Sequence, residues 1–163
     1  MAVAPQTQQS RDLQVELYTE GGWISGTLVV PRIQTLLAFV NRPEPFLKLS
    51  RVKIRANGES LGFLSLQKGR VLLLVPVDAE DRELQEFQMG TEAHDIVALI
   101  GGGVVRGKVE TPAKMRLSDY LMKNQGFMPL KACAASLRAA EDARPELPRA
   151  LLNGAAVIGI SEV

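Results

Sequence analysis

Residue types that commonly perform catalysis are scarce in this sequence. His94 is the only histidine and Cys133 the only cysteine, so a thiol nucleophile activated by histidine could use only this pair. Cys133 lies in the apolar run 132–135, which favours an interior strand and a buried, inert thiol. Asp119 could bind a partner or ligand, but no further group completes a catalytic set around it. We therefore predict no catalytic residues, and an enzyme that uses Asp119, His94 or Cys133 stays an alternative.

Metal and cofactor sites are not predicted either. One cysteine cannot build a multi-cysteine metal site, and His94 is expected to lie in a linker. Glu80, Glu83 and Glu86 are spaced by three residues around an arginine, a pattern typical of a solvated helix face. The segment GGVVRGKV at 102–109 resembles a phosphate-binding loop, but it ends on valine where that loop needs a hydroxyl for magnesium.

Two groups of polar residues are candidates for an interaction surface. Arg51, Lys53 and Arg55 alternate along one predicted strand, which would give either a cationic strip for RNA or an ordinary solvated face. Aromatic residues make up only 5% of the chain, so few side chains could stack on bases. The second group lies in the string RLSDYL, where Arg116, Ser118 and Asp119 could contact a partner. Alternatively, Ser118 or Asp119 caps a helical turn and Arg116 pairs with Asp119.

Composition and charge exclude several classes of function. The chain has 163 residues, a formal net charge of +1 and 46% hydrophobic residues, values close to those of an average globular protein. A near-neutral charge does not predict strong attraction to nucleic acid or to an anionic membrane. Residues 1–12 are polar and predict a disordered tail, and the apolar runs are too short to cross a bilayer. We expect a cytoplasmic protein without membrane insertion.

The strongest pattern in the sequence is an internal match at an offset of 81 residues. Residues 21–49 align without a gap with residues 102–130, and the coinciding positions are glycines, prolines and large apolar residues. Residues of these types set turns and core contacts, so the match predicts a duplicated fold. The expected organisation is a first β-rich repeat at 13–78, a linker at 79–94 and a second β-rich repeat at 95–163.

Each repeat is predicted to have the order ββαβββ. Glycine-containing turns separate alternating apolar segments, and the helices are expected at 32–41 and from Pro112 to about Asn124, each beginning near a proline. Gly26 is expected at a bulge or close contact. Residues 138–148 are predicted to form a polar excursion and residues 155–162 the closing strand. Phe46 and Phe127 are predicted to be equivalent buried anchors.

Two stretches resemble known kinds of protein. The string RLSDYL, between a glycine-rich hairpin and an apolar strand at 102–130, resembles a motif of uncharacterised bacterial proteins with duplicated β-rich domains, which implies no known activity. The spacing Gly22-x3-Gly26-x-Leu28 is similar to the opening strands of Sm-like small barrels. That resemblance implies RNA binding and ring formation, although a helix follows here where Sm-like barrels continue with a strand.

The sequence thus predicts a mainly β protein with short helices. Its two repeats would form either two small barrels or one pseudo-two-fold barrel or sandwich. The predicted function is a non-catalytic protein-interaction or assembly module, and an RNA-binding small-barrel protein is an alternative. The apolar segment 71–77 must be central in the sheet or covered by a partner. A symmetric dimer is expected through the segment 155–160, which contains Ile158.

Overall fold

The computed structural model describes residues 9–87 and 90–163. In these ranges ten antiparallel strands form one open sheet with two short α-helices, so the mainly β prediction is confirmed. The first half contains β1 (Ser10–Thr19), β2 (Gly22–Pro31), α1 (Leu36–Val40), β3 (Phe46–Ile54), β4 (Ser60–Gln67) and β5 (Val71–Pro76), and the second half contains β6 (Thr91–Ile100), β7 (Gly103–Pro112), α2 (Leu117–Lys123), β8 (Phe127–Leu137), β9 (Arg144–Asn153) and β10 (Gly159–Glu162).

Corresponding strands have corresponding neighbours in the two halves. The strand order is β5-β1-β2-β3-β4 in the first half and β10-β6-β7-β8-β9 in the second, and β5 pairs with β9 to join them. The joined sheet therefore ends in β10 on one side and β4 on the other. No pairing among the described strands closes either half on itself, so the predicted barrel architecture is not confirmed.

The two halves also share an irregularity opposite a glycine. The β2–β3 register shifts between Ser25 and Thr27, and Arg51 has φ of 51°. The β7–β8 register shifts in the corresponding place, where Ala132 has φ of 49°. A Cβ on Gly26 would lie 3.2 Å from a neighbouring side chain of β3, and one on Gly107 would lie 3.3 Å from a β8 carbonyl oxygen. The predicted close contact at Gly26 is thus confirmed, because a bulge brings two backbones together.

Two hydrophobic cores lie on opposite faces of the central strands. Leu17 of β1 and Leu151 of β9 belong to the core of the first half, which also contains the apolar face of α1. Tyr18 and Leu152 are the next residues along these strands and belong to the core of the second half. Successive side chains of a strand point to opposite faces, so β1 and β9 contribute to both cores.

The apolar strand β5 is central in the sheet. β5 lies between β1 and β9, and its residues from Val71 to Leu74 are buried. This confirms a central position within the sheet for residues 71–76, whereas Val77, after the end of the strand, is 48% exposed. Pro76 is the last residue of the strand, where a missing N–H costs no ladder bond between strands.

The predicted helix starts are wrong. Pro31 and Pro112 end β2 and β7, whereas the helices begin only at Leu36 and Leu117. Proline fits the end of a strand as well as the start of a helix, since both tolerate its fixed φ and missing N–H. The predicted end of the second helix near Asn124 is confirmed, because Asn124 is the C-cap of α2.

Several predicted boundaries also need correction. β1 begins at Ser10, so residues 10–12 are not a disordered tail, whereas residues 1–8 lie outside the described ranges. The linker between β5 and β6 ends before Thr91, and the expected helix end at 89–90 lies partly outside the described ranges. β9 begins at Arg144, so the polar excursion covers only 138–143, and β10 is shorter than predicted. In each case backbone pairing with a neighbouring strand extends or shortens the element beyond its local pattern.

Candidate interaction edges

The edge formed by β4 presents aromatic side chains to solvent. β4 pairs with β3 alone, and the side chain of Phe63 is 59% exposed. Phe46 at the start of β3 is 48% exposed on the same outward face, so the prediction that it is a buried anchor is wrong. Leu64 and Leu66 point to the core but are only half-buried. This edge is the first candidate interaction surface, and we call it the β4 edge.

The predicted cationic strip lies beside the β4 edge but is interrupted. Lys53 and Arg55 are exposed, as expected. Arg51 occupies the bulge, and its guanidinium lies 3.6 Å from the carboxylate of Asp12. An extra residue in a bulge changes which face the following side chains occupy. Lys48 and Lys53, rather than the three alternating residues, therefore share the outward face with Phe63.

The opposite edge, formed by β10, also presents apolar side chains. β10 pairs only with β6, and Ile158 just before it is 74% exposed. The backbone N–H of Ile158 donates to the carbonyl of Leu99, whose side chain is also exposed. The predicted edge position of this segment is therefore confirmed. We call this second surface the β10 edge.

His94 lies in β6 and not in a linker, and it links β10 to the rest of the sheet. Its Nδ1 lies 2.8 Å from a carboxylate oxygen of Glu162, and its Nε2 lies 2.9 Å from the hydroxyl of Thr111. A hydroxyl, an imidazole and a carboxylate in this order have the connectivity of a catalytic triad. Thr111 is fully buried, however, and its hydroxyl also donates toward the carbonyl of Met115 at 3.3 Å. The arrangement holds β10 on β6 and offers no exposed nucleophile.

The polar residues of RLSDYL are exposed around the start of α2. Arg116 and Ser118 line a groove of about 460 Å³ together with His94 and Ile160, so the fold brings these predicted residues together. Asp119 lines a neighbouring cavity instead. The capping prediction is wrong, because the N-cap is Arg116 and no side chain makes a capping bond there. No ion pair joins Arg116 to Asp119 among the described residues.

Cys133 is buried in β8, as predicted. Burial raises the pKa of its thiol to about 12. Because the thiolate is the nucleophilic form, this environment opposes reaction at neutral pH. Across residues 9–87 and 90–163, no three side chains of His, Cys, Asp or Glu are grouped closely enough to hold a metal ion.

Acidic residues of the linker make contacts that the sequence did not predict. Glu83 is buried, where its carboxylate accepts bonds from the guanidinium of Arg11 and, at 3.1 Å, from the backbone N–H of Leu36. Glu86 accepts a hydrogen bond of 2.5 Å from the hydroxyl of Tyr120. The interpretation as a solvated helix face is therefore wrong for Glu83, which is buried, whereas Glu80 is exposed as expected and Glu86 is only partly desolvated. Apolar Leu84 and Phe87 interleaved with them were the signal for burial.

Burial raises the pKa of Glu86, and the hydrogen bond from Tyr120 partly opposes this shift. The pKa of Tyr120 is also raised, chiefly because the ring is buried. Asn124 completes the cluster, since its amide donates to the Tyr120 hydroxyl at 2.9 Å. The cluster holds the linker against α2. Tyr120, the tyrosine of the RLSDYL string, therefore contributes to the structure through its hydrogen bond to Glu86.

Comparisons with known proteins give no family. No protein-family model matches the chain, and no curated protein or solved structure is significantly similar to it. In the part of the chain that the structure describes, no helix is both long and apolar enough to cross a membrane.

Proposed function

We propose that this chain is a non-catalytic protein-interaction or assembly module that acts through its β4 and β10 edges. The observation that carries the proposal is that both ends of the sheet combine unpaired backbone groups with exposed apolar side chains. Phe63 lies at one end and Ile158 at the other. Edge strands of this kind pair readily with another chain, since the N–H and C=O groups are already aligned.

We also infer that the two halves are copies of one ββαβββ unit, each curled around its own core as an incompletely closed small barrel. Equal strand neighbours, equivalent bulges at Arg51 and Ala132, and the glycines opposite them support this view. The separation of the two cores onto opposite faces supports the curling. A cytoplasmic location stays a prediction from composition.

Affinity purification with matched variants tests the interaction proposal. Phe63→Lys and Ile158→Lys each place a charge on one edge, whereas Ile33→Lys changes an even more exposed apolar residue between β2 and α1. The two edge variants should lose proteins that the original chain captures from cells, because a desolvated lysine opposes strand pairing. The control should retain them. Equal capture by all variants would show that the edges are not used.

RNA binding is a second candidate, favoured by one observation. Lys48 and Lys53 are exposed on the outward face of β3, beside the exposed ring of Phe63. Cations that contact phosphates next to an aromatic ring are typical of single-strand binding surfaces.

A mobility-shift titration with single-stranded RNA separates the two candidates. Salt-dependent binding that is lost when both lysines are changed to serine would favour RNA over a protein partner, because phosphate contacts release counterions. We expect no binding at physiological salt, since the formal net charge is only +1.

A further inference from the structure

The two halves are joined at the centre of the sheet, where β5 of the first half pairs with β9 of the second half. Leu73 of β5 lies opposite Leu152 of β9, and Leu74 lies opposite Leu151. All four side chains are fully buried. We call this contact the internal junction. It joins the last strand of the first half to the last strand but one of the second.

Helix α1 completes the internal junction. The side chain of Asn41, at the C-terminal end of α1, accepts a bond of 2.8 Å from the N–H of Phe127 and donates one of 3.0 Å to its carbonyl. The Phe127 ring is 1% exposed and packs in the core of the first half, which includes Leu36 and Val40 of α1. The start of β8 is therefore covered by the helix of the other half.

The two free edges are the counterparts of the strands in the internal junction. β4 of the first half corresponds to β9 of the second half. Leu66 of β4 lies opposite Leu47, and Leu152 of β9 lies opposite Met128. Met128 follows Leu47 by 81 residues, so Leu66 and Leu152 occupy corresponding positions. Leu152 is fully buried, whereas Leu66 is only half-buried. The second half therefore covers the outer side of β9 with β5, whereas the corresponding side of β4 in the first half has no neighbouring strand.

The same relation holds between β10 and β5. Ile160 of β10 lies opposite Ala98, and Leu74 of β5 lies opposite Leu17. Because Ala98 follows Leu17 by 81 residues, Ile160 and Leu74 occupy corresponding positions. Leu74 is fully buried, whereas Ile160 is only half-buried. The sheet therefore ends in two different edge strands, β4 and β10, which correspond to the two strands of the internal junction, β9 and β5.

The helix contact has open counterparts as well. Phe127 corresponds to Phe46, and Asn41 corresponds to Met122, each at the offset of 81 residues. Phe46 is 48% exposed and Met122 on α2 is 78% exposed. Two large apolar side chains are thus exposed at the two positions that would meet if the junction were repeated.

This inference rests on the proposed function. We propose that a second copy of this chain binds head to tail, so that its β10 pairs with β4 of the first copy and its α2 covers Phe46. The register of the internal junction places Ile160 opposite Ser65 and Gly159 opposite Leu66 of the neighbour. Met122 then packs on the ring of Phe46, a favourable contact between a thioether and an aromatic ring.

The charges of the two edges fit this pairing. Lys48 and Lys53 are exposed on β3 beside the β4 edge. Glu162 is the only charged residue in β10, and its side chain is exposed. Opposite charges on the two surfaces favour a head-to-tail encounter over the pairing of like edges.

A symmetric dimer through β10 alone satisfies less of the surface. It would leave Phe46, Leu66 and the whole β4 edge uncovered, whereas head-to-tail pairing buries both edges of every inner copy. Ser65 and Gly159 stand where the internal junction has Leu151 and Leu73. The junction between chains is therefore less apolar than the internal one, and association should increase with protein concentration.

Crosslinking between single-cysteine variants tests the arrangement. Phe46→Cys in one chain and Met122→Cys in a second chain, carrying tags of different size, are mixed and treated with a short bismaleimide. Both positions are exposed in the monomer, so both variants should fold, and Cys133 is buried in each. We expect a crosslinked species containing one chain of each size in the mixture, and at least a tenfold lower yield from either variant alone.

Ile158→Cys alone is the matched control, because a symmetric dimer through β10 would crosslink this variant to itself. Light scattering at the same protein concentrations measures association of the unmodified 17.7 kDa chain. A monomer at every concentration overturns the head-to-tail proposal. Association with efficient Ile158→Cys self-crosslinking, and without the mixed product, also overturns it.

Loss of captured proteins in the edge variants can still occur if crosslinking fails. That combination would retain the proposed interaction function with a different partner. Failure of both experiments would remove the interaction function itself.

Discussion

Phe127 and Phe46 occupy corresponding positions at the starts of β8 and β3, yet only Phe127 is buried. The difference does not come from the strands on which they lie, because both strands have the same neighbours in order. It comes from the other half of the chain: Asn41 at the end of α1 bonds the backbone of Phe127, and β9 beside β8 pairs onward with β5, whereas β4 beside β3 is the sheet edge. The comparison teaches that a side chain matched in sequence acquires its environment from the neighbouring unit.

Truncation of these two rings should give the largest difference. Phe127→Ala should lower the free energy of unfolding by about 3–5 kcal/mol, because it removes a buried ring and leaves a cavity. Phe46→Ala should change it by less than about 1 kcal/mol in the monomer. Urea denaturation at low protein concentration measures both. Similar losses in the two variants would mean that Phe46 is covered in the monomer.

A smaller difference is expected between carboxylates near the two helices. Glu83 accepts bonds from Arg11 and from the first N–H of α1, whereas Asp119 is exposed in the first turn of α2. Glu83→Ala should cost about 2–4 kcal/mol, since it leaves a partly buried guanidinium unpaired. Asp119→Ala should cost about 0.5 kcal/mol or less.

Chemical denaturation of both carboxylate variants measures these changes in the free energy of unfolding. An equal effect would contradict the view that a carboxylate from outside the helix stabilises the start of α1 but not the start of α2. Glu83→Gln separates charge from hydrogen bonding, because glutamine can still accept from Leu36.

Glycine replacement should reveal a similarity between the halves. Gly26→Ala and Gly107→Ala should each cost about 1–3 kcal/mol, because the added methyl group meets the bulged neighbour strand. Gly62 in β4 has open space around it and is the control. Gly62→Ala should be neutral or stabilising by up to about 1 kcal/mol. A loss at Gly26 without one at Gly107, measured by thermal unfolding, would break the proposed equivalence of the bulges.

The smallest effect concerns the cluster of Glu86, Tyr120 and Asn124, which has no counterpart at the corresponding position of α1. The position of Tyr120 corresponds to Phe39, which has no hydroxyl to donate to a linker carboxylate. The pKa of Glu86 is raised by burial above its ordinary value of 4.5, so the folded state binds this proton more tightly than the unfolded state. Its contribution to stability is thus present below pH 4.5 and is lost as pH rises through the folded pKa.

Glu86→Gln should remove this pH dependence. The melting temperature of the variant should rise relative to that of the original chain as pH increases above 4.5. Tyr120→Phe removes the bond that lowers the pKa of Glu86, so it should move the transition to higher pH. A constant difference in melting temperature across this pH range would show that Glu86 is not desolvated.

Much of the fold could be predicted because it depends on local patterns. Alternation and glycine turns indicated nine of the ten strands approximately, whereas β9 followed only from the order expected for a second repeat, because its first half was predicted to be a polar excursion. Helix starts failed, because Pro31 and Pro112 suit a strand end as well as a helix start. At the candidate edges, Ile158 was predicted from its exposed closing segment, whereas Phe63 and the open side of β4 were not identified.

The sequence by itself determined the mainly β class, the glycines that face the bulges, and the scarcity of residues that could perform catalysis, because these follow from local sterics and residue type. The tertiary structure alone decided that β5 pairs with β9, that Phe127 is covered while Phe46 is not, and that His94 and Glu83 have fixed partners. Those contacts join residues far apart in the chain. Their geometry depends on how the two halves pack, which no local pattern specifies.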